Sequence, residues 1–430
     1  MTDRIDDVAE PLRAAARRFG TPLYVTDLAA IEEAAAEVRT AFPDPWLRAF
    51  SVKANDVPAV IAEVAAHGFG ANVVSRGEWA IARRAGIGNA AITFEGVGKS
   101  DADLRAIVRA AAAGDPLRWV AVESADEAGA LGALAKAAGL RGSRRPDVLL
   151  RLNPAVTPET HRGLAVGAAR SKFGLADDEV AAAIEAGGGR DGALRWRGIH
   201  LHVGSQLGAV DAWREAVRRG LAVGALLRGD DDGFDTLDVG GGFPVAMGGA
   251  ENPVPSPGRF AAEIPALLAS VPADRRPSRL AVEPGRFLVA RSGCLVARVL
   301  HARDRRGPEG GPMVVLDAGM AELVRPALFG ARHRVFALTR IGRPIDPGDR
   351  RPDAVPTAVE GPICESTDTL GVHDLPPLRR GDLVAILDAG AYGASMSSRY
   401  NGRPRPPQVA VRTDGTPVLL RRRGSLASLA

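Results

Sequence analysis

One lysine of the sequence has a position and neighbours that suit covalent chemistry. Lys53 lies in the run SVKAN, at the end of an apolar, β-rich segment, and is one of four lysines in a chain with 51 arginines. Arginine cannot replace lysine where an amine must lose its proton and act as a nucleophile. A surface or ion-paired lysine is the simpler interpretation, but the pattern favours a Schiff base with an aldehyde cofactor or a carbonyl substrate.

Two later runs carry groups that bind phosphate. DVGGG places three glycines at 240–242, and EPGR places Glu283 and Arg286 after the next β-rich segment. Glycine lets backbone N–H groups approach anionic oxygens closely, and arginine adds a charged fork. A carboxylate such as Glu283 would keep a pyridine nitrogen protonated. Combined with the lysine, these elements match pyridoxal 5'-phosphate (PLP).

A pair of histidines allows a different interpretation. His200 and His202 are two residues apart in a β-rich run, so their side chains face the same side. Such a pair could bind a metal, as in barrel metallohydrolases. The other five histidines do not follow predicted barrel strands. We therefore favour His202 stacked on a flat cofactor ring, with His200 packing beside or orienting its neighbour, and we expect no metal.

These motifs follow β-rich segments that alternate with Ala-rich, amphipathic helical segments. Eight such strands over roughly 250 residues predict an α/β fold, a (β/α)8 TIM-like barrel, with a doubly wound open sheet as the alternative. In such barrels the active site lies at the C-terminal ends of the strands. The predicted strands are Leu47 to Ala54, Ala71 to Ser75, Ala91 to Phe94, Trp119 to Ser124, Asp147 to Asn153, Gly198 to Gly204, Thr236 to Gly240 and Arg279 to Glu283.

The last third of the sequence has a different texture. Runs such as FLVARSGCLVARVL, PMVVLDAG and DLVAILDAGA are β-like and are separated by Gly, Pro and Asp turns. This pattern predicts a second, mainly β domain of sandwich or barrel-like form. We expect the barrel at 26–284, with the β domain formed by 1–25 and 285–430.

The composition excludes several classes of protein. Apolar residues make up 46% and charged residues 25%, as in soluble globular proteins, and no apolar run approaches the roughly 18 residues of a membrane span. The net charge is +4, but the arginines are dispersed and aromatics are only 5%, so nucleic acid is not an expected partner. A polar N-terminal segment and only two cysteines, Cys294 and Cys364, favour the cytoplasm.

Ten motifs in one order resemble a known family over nearly the whole chain. The sequence is similar to the diaminopimelate and ornithine decarboxylases, PLP enzymes with an alanine-racemase-like barrel and a C-terminal β domain, and it is most like the diaminopimelate decarboxylases. The motifs are SVKAN, VVSRGE, RLNP, SKFG, HLHVGSQ, DVGGGF, EPGR, DAGMAELVRPALF, GPICESTD and DAGAYGASMSSRYN.

The resemblance implies roles for the matching residues. Lys53 would carry the cofactor, Glu283 would bond its pyridine nitrogen and His202 would stack on its ring. Cys364 would return a proton after carbon dioxide leaves, entering with Glu365 from the partner subunit of a homodimer. The phosphate would be bound by Ser205, Gly241, Gly242, Gly285, Arg286 and Tyr392. The substrate would be bound by Arg286, Arg325, Phe329, Glu365 and Tyr392.

The implied activity is that of a carboxy-lyase in lysine biosynthesis, converting meso-diaminopimelate to L-lysine and carbon dioxide. Phe329 stands where the family has tyrosine, Val166 where it has threonine and Asn72 where it has an acid. The change at Phe329 makes a decarboxylase of a related amino acid, in a specialised pathway, the main alternative. A PLP racemase and a catalytically silent PLP-binding protein are further alternatives; Glu283 argues against the first, and Lys53 with Cys364 against the second.

Overall fold

The structure, a computed structural model, describes residues 4–168, 170–229, 233–247, 253–306, 310–346, 352–412 and 414–429. The chain forms two compact units. The barrel unit comprises Ala35–Pro244 and Val254–Arg286. The β unit comprises Met1–Ala34, Val245–Pro253 and Phe287–Ala430.

The strands and helices alternate through the first two thirds of the chain, and strands predominate afterwards. The strands are β1 (Leu23–Asp27), β2 (Leu47–Ser51), β3 (Gly70–Val73), β4 (Ile92–Phe94), β5 (Trp119–Val122), β6 (Asp147–Leu152), β7 (Arg195–Leu201), β8 (Thr236–Asp238), β9 (Arg279–Val282), β10 (Gly293–Arg305), β11 (Gly311–Leu316), β12 (Val335–Ala337), β13 (Thr339–Arg340), β14 (Arg343–Pro344), β15 (Val355–Glu360), β16 (Thr369–Leu375), β17 (Leu383–Ile386), β18 (Gln408–Val411) and β19 (Pro417–Arg421). The helices are α1 (Ile5–Phe19), α2 (Leu28–Ala41), α3 (Pro58–Ala66), α4 (Arg76–Arg84), α5 (Asp101–Ala112), α6 (Ala125–Ala137), α7 (Glu179–Ala186), α8 (Asp211–Arg228), α9 (Pro257–Ala261), α10 (Ile264–Ala269), α11 (Arg286–Val289) and α12 (Arg325–Phe329).

The barrel is closed by eight parallel strands in sequence order, from β2 to β9, with β9 pairing with β2. Local sequence signals set its helices. Ser100 caps α5 through a reciprocal pair of hydrogen bonds with Asp103, and Ser75 and Ser124 accept N–H groups of the first turns of α4 and α6. The predicted TIM-like barrel is therefore confirmed. All eight predicted strands are present, most of them one to three residues shorter at the C-terminal end.

The interior of the barrel changes character along the strands. Trp119, Ala121, Leu149 and Ala281 form a buried apolar cluster against which Leu47 packs. Residues two positions further along a strand point to the same side, here the barrel interior. At this level the interior is lined by buried polar side chains, here named the polar layer: Glu95, Glu123, Arg151, His200, Asp238 and Glu283. Four of these six come at or just after the end of a strand, as active-site residues do in barrels, and Arg151 and His200 are each the second-to-last residue of their strand.

The β unit is built on a nine-stranded sheet in which the first strand of the chain lies in the middle. β1 pairs antiparallel with β10 and parallel with β18. Alternate residues of these strands pack into two separate apolar clusters: Leu23 and Val25 belong to one, and Tyr24 to the other. The sheet is thus buried on both faces here, and the predicted mainly β domain is confirmed. None of the described helices is both long and apolar enough to cross a membrane.

Candidate active site

Lys53 lies at the C-terminal end of the barrel, on a single 3-10 turn that follows β2. The turn is fixed by Ser51, whose backbone N–H donates to the Pro284 carbonyl over 3.1 Å and whose hydroxyl donates to the Glu283 carbonyl over 3.2 Å. Val52 and Ala54 are buried, whereas Lys53 is partly exposed. An amine at the mouth of the barrel, with apolar neighbours, is positioned to react with a carbonyl.

The polar layer joins Glu283 to residues from several neighbouring strands. His200 Nε2 lies 3.2 Å from Glu95 Oε1 and 3.4 Å from Glu283 Oε2. Arg151 donates to Glu123 over 2.7 Å. Asp238, beside His200 in register, accepts the Gly240 N–H over 2.9 Å. The two histidines contact different groups: His200 contacts carboxylates, and His202 Nδ1 accepts the Gly241 N–H over 3.5 Å.

Burial controls the protonation of this layer. Several carboxylates cannot all ionise together in a site of low dielectric. Burial and the charge of neighbouring acids raise the pKa of Glu283 well above its usual range and that of Asp238 to about 8. At Glu95 burial alone would raise the pKa, but His200, a hydrogen bond with Glu283 and the charge of Arg151 outweigh this effect. The pKa of Glu95 therefore falls to about 2. The cluster therefore keeps protons on Glu283 and Asp238 and a charge on Glu95.

The two histidines are neutral at physiological pH. Burial lowers the pKa of His200 to about 3, although the nearby Glu95 charge opposes the change. Burial, together with the charge of Lys53, also lowers the pKa of His202 well below its usual value. A neutral imidazole offers one N–H donor and a flat apolar face. His202 can therefore lie against an aromatic ring without a charge of its own.

The loops after β7, β8 and β9 form a cradle in which glycine is required. A Cβ on Gly241 would lie 2.2 Å from the Glu283 carbonyl oxygen, and Gly242 has φ +100°. Beside them, Arg286 donates to the Ser205 hydroxyl from Nε over 3.2 Å and from Nη2 over 3.1 Å, with only 4% of the arginine exposed. Backbone N–H groups, a hydroxyl and a buried guanidinium are the donors that a phosphate needs.

These residues fit PLP on two structural observations. A Cβ on Gly241 or Gly242 would collide with a backbone carbonyl oxygen, so only glycine allows the close backbone approach that an anion-binding turn needs. Glu283 Oε1 is buried and, among the described residues, has no hydrogen-bond partner, as expected of an oxygen reserved for a pyridine nitrogen. The barrel unit thus brings together Lys53 and seven of the other predicted cofactor residues. These seven are His202, Ser205, Gly241, Gly242, Glu283, Gly285 and Arg286.

The β unit carries the other predicted site residues in two groups. In the first, the Arg325 guanidinium carbon lies 5.5 Å from the Phe329 ring centroid and 5.8 Å from that of Tyr392. Arg325 is 3% exposed, so its charge is held between two aromatic rings. Tyr392 has φ +55°, an uncommon backbone conformation outside glycine.

The second group is the exposed pair Cys364 and Glu365. Asn401 Nδ2 lies 3.6 Å from Cys364 Sγ, and the Tyr400 hydroxyl donates to Glu365. The loop that carries the pair is fixed by the buried Asp368, which accepts the Ile363 N–H over 2.7 Å. Both side chains of the pair are exposed, so Cys364 is not a core cysteine.

The structure also shows residues that the motifs did not single out. Glu95 and Asp238 belong to the polar layer, although ITFEG and TLDVG look like ordinary strand ends in the sequence. Lys99, in the loop after β4, is a further buried charge. Its side chain is fully buried, lies 2.7 Å from Glu127 and donates to the Gly96 carbonyl. The sequence signal that could have identified these residues is a charged side chain at or after the end of a predicted strand.

The other two departures from the family pattern lie in the barrel unit. Asn72 is 1% exposed and lies in register between Ser51 and Thr93. Its side-chain amide has no hydrogen-bond partner among the residues described. Val166 donates its N–H to the Val203 carbonyl over 3.1 Å, an interaction that does not depend on its side chain. Neither Asn72 nor Val166 takes part in the hydrogen bonds given above for Glu283 and for the turn that carries Lys53.

The raised pKa values predict how the stability of the cofactor-free protein depends on pH. Between about pH 6.5 and 8 the folded protein keeps protons on Asp238 and Glu283 that the unfolded chain has lost. Stability therefore falls as the pH rises through this window, on the order of 1 kcal/mol per pH unit for each group. His200 and His202, with lowered pKa values, change stability only below about pH 6.5.

Urea unfolding at four pH values from 6.5 to 8 measures this slope. Asp238→Asn removes one of the two titrating groups, so we expect a shallower slope for that variant. A free energy of unfolding that is constant or rises across this range would contradict the protonated state of the polar layer.

Comparison with known proteins agrees with the geometry. Residues 28–290 match a family model described as "Pyridoxal-dependent decarboxylase, pyridoxal binding domain". A diaminopimelate decarboxylase of Aquifex aeolicus is 34% identical over 415 residues, which cover 96% of this chain and 91% of the relative. That of Pseudomonas aeruginosa is 37% identical over 412 residues, which cover 95% and 91%.

A solved structure extends the similarity to the whole fold. Diaminopimelate decarboxylase of Helicobacter pylori, complexed with L-lysine, is 29% identical and superposes with a TM-score of 0.85, covering 97% of this chain and 98% of that one. The barrel, the lysine, the glycine cradle and the matching chains agree on one assignment. The chain therefore belongs to the PLP-dependent decarboxylases and, within them, to the diaminopimelate decarboxylase family.

Proposed function

We propose that this protein decarboxylates meso-diaminopimelate to L-lysine and carbon dioxide with PLP as its cofactor. The observation that carries the proposal is the position of Lys53 at the same barrel mouth as Glu283 and the glycine cradle. The relatives named above are diaminopimelate decarboxylases, and the Helicobacter pylori structure is named as a complex with L-lysine. Both support this substrate and product, and with them a place in lysine biosynthesis.

Each residue of the barrel unit would have a distinct task toward the cofactor. When bound, PLP supplies an aldehyde that attaches to amines and a ring that accepts the electrons left by a departing carboxylate. Lys53 would hold the aldehyde carbon, and Glu283 would hold a proton at the ring nitrogen. His202 would lie against the ring face. The phosphate would be bound by Ser205, Gly241, Gly242, Gly285 and Arg286. Tyr392, outside this unit, is a further proposed phosphate ligand.

The exposed pair Cys364 and Glu365 would complete the site of a second subunit in a homodimer. Cys364 would return a proton to the carbon that has lost its carboxylate, and Glu365 would bind the substrate amino group. Exposure of both side chains, and their fixed position beside Tyr400 and Asn401, support this role. A reduced thiol at Cys364 is needed, which favours a reducing compartment such as the cytoplasm.

Arg325 would bind the distal carboxylate of the substrate, and Arg286 is a second proposed ligand of it. A bidentate arginine–carboxylate pair is the strong form of this contact. The aromatic rings of Phe329 and Tyr392 hold the Arg325 guanidinium in place. Phe329 lacks the hydroxyl that a tyrosine would offer, so the distal carboxylate has one fewer donor than in the family pattern.

Phe329→Tyr is expected to tighten substrate binding. A hydrogen bond to a charged group contributes about 1.5–3 kcal/mol, so we expect KM for meso-diaminopimelate to fall about tenfold or more with little change in kcat. Steady-state kinetics of the two proteins measure the change. Phe336→Tyr is the matched control, since Phe336 also packs beneath an arginine, Arg334, with 4.7 Å from guanidinium carbon to ring centroid. An unchanged KM in Phe329→Tyr would show that the side chain at position 329 does not contact the distal carboxylate.

Product analysis in D2O distinguishes the proposed activity from its alternatives. Decarboxylation gives lysine with one deuterium at the carbon that lost its carboxylate, together with carbon dioxide. A racemase gives diaminopimelate with exchanged deuterium and no carbon dioxide, and a silent binding protein gives neither. Lysine without deuterium, or unlabelled diaminopimelate recovered intact from PLP-loaded protein, would contradict the proposal. A different amino acid releasing carbon dioxide would identify the related decarboxylase instead.

A further inference from the structure

The polar layer contains two side chains that the proposed function does not use. Glu95 and His200 are 3% and 0% exposed, and both lie within hydrogen-bonding range of each other, with His200 also reaching Glu283. A buried polar group without a task costs stability and is normally replaced by an apolar one. The three residues come from the ends of β4, β7 and β9, so the contact depends on the closed barrel.

The surroundings of Glu283 fix how much charge the layer can carry. Acids face it from β4 and β8, as Glu95 and Asp238, and His200 faces it from β7. Lys53, from the turn after β2, acts on it from the barrel mouth, and β3 contributes only the neutral Asn72. The remaining cations are already balanced: Arg151 by Glu123 and Lys99 by Glu127. His202, which follows β7, is neutral.

Three neighbouring carboxyl groups in this setting share protons rather than ionise together. His200 is neutral and its Nε2 is hydrogen-bonded to Glu283 Oε2 over 3.4 Å, while its Nδ1 has no partner within the described part of the chain. A hydrogen bond between the two glutamates lowers the pKa of Glu95 and raises that of Glu283, so Glu283 carries the shared proton and Glu95 the charge. The geometry thus separates the two glutamates into an ionised and a protonated partner.

We propose that Glu95 and His200 are positioning residues that place a proton on Glu283 and keep it at the ring nitrogen of the cofactor. Glu283 gives its O–H proton to the nitrogen lone pair and remains as a carboxylate, so no other proton donor is needed. The fixed negative charge of Glu95 then adds to that of Glu283 in stabilising the protonated ring. The inference rests on the proposed function only in that the barrel binds PLP.

Removing the Glu95 charge is expected to weaken the protonation of the ring nitrogen. Glu95→Gln keeps the size and hydrogen-bonding capacity of the side chain but carries no charge. One charge lost from a buried site a few ångströms away changes proton affinity by about 10–100-fold. The readout is the dissociation constant of PLP relative to that of its carbocyclic analogue, which has CH in place of the ring nitrogen and cannot be protonated.

The expected result is a preference for PLP in the unmodified protein that falls about tenfold or more in Glu95→Gln, while the affinity for the carbocyclic analogue is unchanged. Glu95→Asp, which keeps the charge, should retain the preference. His200→Leu should lower it, and His200→Gln, which keeps a donor, should lower it less. Glu322→Gln is the control: it removes a buried carboxylate of the β unit, 2% exposed, and should leave the preference unchanged.

A double substitution shows whether Glu95 acts through Glu283. Glu283→Gln should abolish the preference for PLP, and adding Glu95→Gln should then have no further effect. An unchanged preference in folded Glu95→Gln, verified by its urea unfolding midpoint, would overturn the inference while leaving the proposed function intact. If Glu95→Gln does not fold, the two His200 variants test the inference instead. An equal preference for PLP over its analogue in His200→Leu and His200→Gln would contradict it. If the unmodified protein binds no PLP, it is the proposed function that fails.

Discussion

Lys53→Ala is expected to lower decarboxylation by a factor on the order of 10⁴ or more, because the amine that holds the cofactor aldehyde and exchanges with the substrate is removed. The other parts of the site, the glycine cradle and Arg286, remain, so PLP should still bind, though without a covalent bond. Carbon dioxide release measures the loss of activity. Borohydride reduction followed by intact-mass analysis shows whether the cofactor is attached.

A second lysine provides the control for this substitution. Lys136 is exposed on α6 and belongs to no part of the site, so Lys136→Ala should keep full activity and the same cofactor adduct after reduction. Peptide mapping of the reduced protein should locate the adduct on Lys53 alone. An adduct on another lysine, or carbon dioxide release by Lys53→Ala at a rate close to that of the unmodified protein, would contradict the role of Lys53.

Cys364→Ala is expected to lower kcat by about 10²–10⁴-fold, since a positioned general acid contributes about that much to proton transfer. Binding of PLP should be unchanged, because Cys364 lies on the β unit and outside the glycine cradle of the barrel unit. Cys294→Ala is the matched control, because Cys294 is the other cysteine, lies in β10 and is buried. Its removal should cost stability and leave kcat intact.

Mixing two inactive variants tests whether the site is shared between subunits. If Cys364 serves the partner subunit, a mixed dimer of Lys53→Ala and Cys364→Ala chains contains one complete site. Random exchange of subunits should then restore about a quarter of the activity of the unmodified protein. No recovery after verified subunit exchange, by contrast, would place Cys364 and Lys53 of one chain in the same site or remove Cys364 from catalysis.

The barrel and its cofactor lysine could be predicted because local patterns carry them. Each strand is a short apolar run, and each is followed within a few residues by a polar residue such as Lys53 or Glu283. Strand ends meet at one face of a closed barrel, so residues far apart in sequence gather there. A loop with three consecutive glycines also indicates a close approach of the backbone to another group.

The network behind Glu283 was not predicted, because it depends on distances across the barrel. Glu95 follows the three-residue strand Ile92–Phe94, which is too short to show a clear pattern, and the sequence does not show that His200 lies opposite. The pairing of β1 was equally hidden: the sequence assigns residues 1–25 to the β domain but does not show that β1 lies between β10 and β18, from the far end of the chain. The burial of Lys99 was hidden as well, because its partner Glu127 lies on α6, a later helix of the chain.

Carbon dioxide release from meso-diaminopimelate by the PLP-loaded protein, measured beside release from lysine, ornithine and arginine, tests the central claim most directly. We expect rapid release from meso-diaminopimelate, with L-lysine as the product, and little from the other three. Such a result would make Phe329 a tolerated variation in a lysine-forming enzyme. No release from meso-diaminopimelate, with PLP bound, would contradict the proposed substrate and would direct the search to another amino acid.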